Sequence, residues 1–213
     1  MTSPIDNAAN RDGSIQKGQW QILLGIAARS IRSGLMQGVP LTLDPADYPP
    51  DLQAIRASFV TLEIADTLRG CIGVLTAMRP LVIDVAHNAF AAAFEDPRFP
   101  RLRPDEFNHL TLKISILSLP EPITFQSETD LLRQIRPGVD GLILSDRGRR
   151  GTFLPSVWEQ LPESHAFLEQ LKRKAGFPGG YWSETIQVMR YTTESFGGRV
   201  PGDPEQGHGT ARL

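Results

Sequence analysis

Apolar positions along this chain repeat with two periods, one helical and one alternating, and the switches between them mark out its elements. Trp20, Leu23, Leu24, Ala27, Ala28 and Ile31 recur at helical spacing, which predicts an amphipathic helix over roughly residues 19–33, ended by Gly34 and Gly38. A proline-rich connector, residues 40–50, follows. Residues 57–64 and 68–75 are rich in β-formers and flank the short turn Ala65-Asp66-Thr67, so they predict a hairpin. Pro80 suits the first turn of a helix with the stripe Val82, Val85, Ala86, Ala89 and Ala93, which stops by Asp96, ahead of Pro97. Residues 96–103 (DPRFPRLR) hold two internal prolines and predict an extended loop.

Beyond that loop, Leu110, Leu112, Ile114 and Ile116 alternate with polar residues, the mark of a half-buried strand. Ser127 caps a short helix carrying Leu131, Leu132 and Ile135. Residues 141–145 and 151–154 flank DRGRR as a second hairpin, and residues 163–175 form a helix with Phe167, Leu168 and Leu171 on one face and Gly176 as its stop. Residues 185–193 close the series as a strand. The order hairpin then helix occurs twice, the trace an ancient duplication would leave, although no identity between the halves is visible. The class expected is α+β, a mixed β-sheet with flanking helices and two hairpin–helix units. The first helix and connector could form a small N-terminal lobe. Residues 1–18 and 197–213 are polar and unpatterned and are expected to be a flexible arm and tail around one domain, 19–196.

Composition narrows the chemistry more than the fold. The chain has 213 residues, 40% hydrophobic and 22% charged, enough for a core without staples. A net charge of −2 gives no global attraction to nucleic acid or anionic lipid, so any anion site must be local. The single cysteine, Cys71, excludes an internal disulfide and multi-thiolate zinc. With no basic-then-apolar leader and no apolar run near the ~20 residues that span a bilayer, a reducing cytoplasm is the expected location.

The candidate chemistry gathers at LRGCIG, residues 68–73. Side chains alternate in a strand, so Arg69 and Cys71 are expected on one face, while Gly70 and Gly73 leave room for a ligand or another backbone. A guanidinium beside a thiol favours the reactive thiolate, which makes Cys71 a candidate nucleophile, redox thiol or soft ligand and Arg69 a candidate anion holder. The plainer reading is a small buried cysteine and a solvated edge arginine. Asp84, His87 and Asn88 fall at i, i+3 and i+4, so an Asp–His pair could orient His87 as a general base, against the plainer reading of a solvated helix face. Arg98, Arg101 and Arg103 either join Arg69 as an anion-binding wall or brace the loop, with Asp96 pairing Arg98 and Phe99 filling the core. Arg147, Arg149 and Arg150 read as a solvated hairpin tip, since aromatic interleaving typical of single-strand binding is missing. His87, His109, His165 and His208 show no metal-ligand spacing and no phosphate-cradling glycine loop follows a strand, so no metal is expected and the cofactor is unknown.

Six blocks carry a family resemblance: LRGCIG, HNAFAAAFEDPRFP, ISILSLPEPI, IRPGVDGLIL, GTFLPSVW and FLEQLKRKAGFP. In order and extent, over roughly residues 20–196, they resemble the AmmeMemoRadiSam system protein A family, the AMMECR-type domain. The resemblance implies an α+β protein with a cleft near the hexapeptide and an association with Memo-type and radical SAM proteins, and it implies no defined reaction. One departure is Arg101 after Pro100, where the family pattern expects a second proline. The expectation is a ligand-binding or catalytic cleft at Arg69 and Cys71, taking a small anionic ligand, with His87 assisting and Gly70, Gly73 and Arg98 lining it. A non-catalytic adaptor docking those partners is the alternative, and nucleic-acid binding a weaker one.

Overall fold

A computed structural model describes residues 15–200 as two compact units, one of residues 15–116 with 194–200 and one of residues 117–193. The first unit opens with helix α1 (Lys17–Gln37) and the one-turn helix α2 (Pro50–Gln53). The hairpin β1 (Ser58–Ile64) and β2 (Thr67–Gly73) follows, then helix α3 (Leu81–Phe94) and strand β3 (Leu110–Leu117). Strand β8 (Thr193–Arg199) completes a four-stranded sheet in the order β2-β1-β3-β8. Alternation along β1 explains its burial: Val60 and Leu62 reach the core, and Phe59 and Thr61 do not. That core also takes Leu23, Ala27 and Ile31 from α1, Val82, Ala86 and Ala89 from α3, and Leu112 and Ile114 from β3. Each leucine, isoleucine or valine among them, fully buried, contributes about 1.5–3 kcal/mol, and each alanine methyl about 0.8 kcal/mol.

The second unit holds β4 (Glu121–Pro122), α4 (Glu128–Gln134), the hairpin β5 (Gly141–Asp146) and β6 (Arg149–Phe153), α5 (Ser164–Lys174) and β7 (Gln187–Tyr191). Its sheet runs β4-β7-β5-β6. Leu142, Leu144 and Val188 pack against Phe167, Leu168 and Leu171 of α5, and the Trp158 ring stacks on Phe167 at 3.7 Å.

The α+β class stands as read, with two hairpin–helix units, but the strands form two antiparallel sheets where one mixed sheet was expected. The first helix is no separate lobe. Its apolar stripe shares the core with α3, and the Ser30 hydroxyl donates to the Ala86 carbonyl at 2.7 Å. It also runs through Gly34, where a Cβ would lie 2.1 Å from the Phe94 ring, and ends at Gly38 in the left-handed region (φ 77°). Residues 197–199, expected in the tail, belong to β8, and Lys17, expected in the arm, starts α1. Gly18 likewise lies in α1, and Ile15 and Val200 pack into the core of the first unit. Residues 1–14 and 201–213, with His208, lie outside the described residues. Among the described residues no helix is long and apolar enough to cross a membrane.

Candidate functional site

The first hairpin turns through Ala65 and Asp66, both at positive φ (48° and 59°), as a two-residue turn matched to strand twist requires. The ladder then slips by one residue. Glu63 pairs with Leu68, but Leu62 pairs with Gly70, so Arg69 is the extra residue of a bulge. Gly70 faces α3, where a Cβ would lie 2.1 Å from the Ala92 carbonyl oxygen. At Gly73 a Cβ would lie 2.3 Å from the Phe59 ring. The space these glycines leave is occupied by the chain itself, and Gly70 sets how closely α3 approaches the sheet.

Cys71 pairs with Thr61 on the face turned away from α3 and is half-buried. The Thr61 hydroxyl donates to its Sγ at 3.1 Å. The Cys71 main chain points outward from the sheet edge and is held at both polar atoms. Its N–H donates to Asp96 Oδ2 at 2.9 Å, and its carbonyl accepts from Arg98 Nη2 at 3.1 Å. Arg98 grips Asp96 in a two-pronged pair at 3.0 and 2.7 Å. Those guanidinium bonds hold the Asp96 carboxyl well below the usual range, against the opposing effect of burial. The loop-bracing role weighed for Arg98 is therefore present, and Phe99 lies half-buried beneath its guanidinium at 5.5 Å.

Arg69 donates through Nε and Nη2 to the two oxygens of Glu106 at 2.8 and 3.0 Å, and Nη2 also reaches the Arg101 carbonyl at 3.4 Å. Its side chain is 11% exposed, and Nη1 is buried without a hydrogen-bond partner. A buried orphan donor of that kind costs about 1–3 kcal/mol. Arg101 lies over the Phe94 ring at 5.1 Å, and Arg103 pairs with Asp105 at the surface. Rather than forming a wall of free cations, these arginines are matched to carboxylates, carbonyls and a ring.

Asp84 and Asn88 are buried and tie α3 to β1. Asp84 Oδ2 accepts from the Ser58 N–H, the Ser58 hydroxyl and Asn88 Nδ2 at 2.9, 2.7 and 2.8 Å, while Arg79 stands 3.3 Å from Oδ1. Burial pushes the Asp84 carboxyl above its usual range. His87 is exposed, and crowding around its ring, then Arg79, lowers its pKa. The structure does not bring His87 to Cys71: α3 lies on the Gly70 face of the sheet and the thiol on the other. Nor does Asp84 orient His87, because its oxygens serve Ser58, Asn88 and Arg79.

In the second unit, Glu128, His165 and Glu169 bring one possible ligand atom each within 4.8 Å of one another. The Lys172 ammonium, fully buried, already contacts both carboxylates at 2.6 and 2.7 Å. The residues missed in sequence are Thr61, Ser58 and Glu106. Ser58 carried a signal, a polar residue in phase with Val60 and Leu62, whereas the bulge hid the Thr61–Cys71 register.

A family model described as AMMECR1 matches residues 24–196. A protein from Methanothermobacter thermautotrophicus is 34% identical over 184 residues, covering 85% of this chain and 95% of its own length. One from Thermotoga maritima is 38% identical over 173 residues, covering 80% and 94%. The crystal structure of the uncharacterized protein PH0010 from Pyrococcus horikoshii superposes with a TM-score of 0.74 at 33% identity, covering 88% of this chain and 95% of that one.

Proposed function

This chain belongs to the AMMECR1 family, and from that premise we propose that it handles a small ligand with the Cys71 thiol, presented on the sheet face turned away from α3. The observation that carries this reading is the Thr61 hydroxyl donating to Sγ at 3.1 Å. A donor at that distance stabilises negative charge on sulfur, and the anionic sulfur is the nucleophile and the soft ligand. Asp96 and Arg98 support the reading by holding the Cys71 main chain at both polar atoms, which fixes where the thiol stands before a ligand arrives. Arg69 enters this reading as a brace to Glu106 rather than as the anion holder.

The test is alkylation of Cys71 by iodoacetamide at pH 7, followed by mass spectrometry. Thr61→Val removes the donor at nearly constant volume and slows alkylation about fivefold, the equivalent of one hydrogen bond of ~1 kcal/mol. Equal rates in the two proteins would overturn the proposal. A second reading, docking of Memo-type or radical SAM partners, is favoured by the ion pairs of Arg69 with Glu106 and of Arg98 with Asp96, which hold that surface in one shape. Loss of binding to a purified partner in Arg98→Ala, with alkylation unchanged, supports docking over ligand handling.

A further inference from the structure

The second hairpin carries three arginines around its turn, beside a cleft of about 610 Å³. We propose that this cleft binds a small phosphorylated ligand by its phosphate group, a site separate from Cys71. The argument begins with register. Ser145 of β5 stands opposite Arg150 of β6 on one side and Gln187 of β7 on the other. Paired residues on adjacent strands point to the same face, and strands lie ~4.8 Å apart, so the three side chains form a row roughly 10 Å long. The row offers a guanidinium, a hydroxyl and a carboxamide, all hydrogen-bond donors. Arg147 adds a second guanidinium from the turn.

The two other charged groups of the lining have different duties. Asp146 is out of phase with the row, alongside Leu142 and Leu144, and its oxygens accept from Tyr181 Oη at 2.5 Å and Thr185 Oγ1 at 2.7 Å. Arg149 shares that phase, donates to the Gly176 carbonyl and lies over the Phe177 ring at 5.5 Å. Arg147 and Arg150, by contrast, are exposed and make no ion pair among the described residues. In the first unit Arg69, Arg98 and Arg103 each have a carboxylate partner within 3.1 Å. Two uncommitted guanidinium forks over a row of neutral donors match the several oxygens and double charge of a phosphate better than a single carboxylate.

Size and charge decide between a small ligand and a polymer. The cleft exceeds what a bare anion needs and falls within the range of small-molecule sites. With a net charge of −2 the chain has no long-range pull on a polyanion, and the cleft lining contains no aromatic side chain on which a base could stack.

Calorimetric titration of the full chain with inorganic pyrophosphate tests the site. Saturable binding at one site per chain is expected, weakened roughly tenfold by Arg150→Ala and by Arg147→Ala and lost in the double variant. Arg133→Ala, an exposed arginine on α4, leaves it unchanged. Circular dichroism confirms that the variants are folded, as expected for two exposed side chains. No saturable binding, or equal binding by the double variant, would sink the proposal. So would tighter binding of a single-stranded oligonucleotide that pyrophosphate does not displace. Cys71 alkylation is read in the same samples and does not respond to pyrophosphate, so the two sites fail separately.

Discussion

In the first hairpin Leu62 faces Gly70, and the following helix comes down on that glycine through Ala92; in the second, Leu144 faces Gly151, and the end of the following helix comes down through Ala175. Both turns are two residues long with positive φ, Ala65-Asp66 in one and Arg147-Gly148 in the other. The residue after the glycine is Cys71 in the first and Thr152 in the second, facing Thr61 and Ile143 respectively. The frames differ by one residue, Arg69, which bulges out of the first ladder and has no counterpart in the second. In the first hairpin the arginines near the bulge are consumed in holding the chain to itself. In the second, where the ladder is regular, Arg147 and Arg150 are left for something else. One frame can thus serve as a fixed mount or as an open hand, depending on where its charges find partners.

The comparison is broken most directly at the glycines. A Cβ at position 70 meets a carbonyl oxygen at 2.1 Å, whereas at position 151 it meets Ala175 atoms at 2.9 Å. Gly70→Ala is therefore expected to lower stability by about 3 kcal/mol or more and Gly151→Ala by about 1–2 kcal/mol, read from urea midpoints. Equal losses would show that the two helices do not depend on their glycines to different degrees.

A smaller effect separates the carboxylates. Asp96 is held below the ordinary range, mainly by the Arg98 hydrogen bonds, so its contribution is complete above the unfolded value near ~3.9 and is lost as pH falls through the lower folded value. Asp96→Asn is expected to destabilise by about 2 kcal/mol at pH 7 and to flatten the decline in stability below about pH 4. Asp84 has the opposite sign. Burial raises its folded value, so its charge weakens the fold above that value and the weakness is relieved on acidification through it. Urea midpoints followed from pH 7 to pH 3 separate the two, and an unaltered slope in Asp96→Asn would refute the assignment.

The smallest effect is at the turns. Ala65 sits at φ 48°, a region that alanine enters at a cost and glycine freely. Ala65→Gly is expected to stabilise by about 0.5–1 kcal/mol, measured as a rise in Tm, and so to bring the first turn closer to the second.

Much of this molecule was legible in its apolar periods, because helices and hairpins are local. Val60 and Leu62, or Val82, Val85 and Ala86, declare their elements within a few residues. The division into two antiparallel sheets was not legible, since it depends on which distant strands pair. Strand β8 contains Gly197 and Gly198, which weaken any β signal, and it is held by a partner far along the chain, Ser195 against Ser115 and Val200 against Leu110. At the candidate site the reactive residue types were visible and their partners were not. Counting outward from the turn sets Thr61 opposite Gly70, and only the slip at Arg69 brings it to Cys71. Glu106, the partner of Arg69, lies in a short 3-10 turn beyond the proline-rich loop, where no period announces it.

The loop grip on Cys71 has a further consequence, for how this protein behaves at high concentration. An outermost strand with bare amide and carbonyl groups invites a strand from another molecule, which is how folded proteins begin to build aggregates. With Asp96 and Arg98 seated on those groups, a neighbouring chain finds nothing there to zip onto. The same two residues that steady the thiol thus also occupy the main-chain groups through which another strand would pair at Cys71.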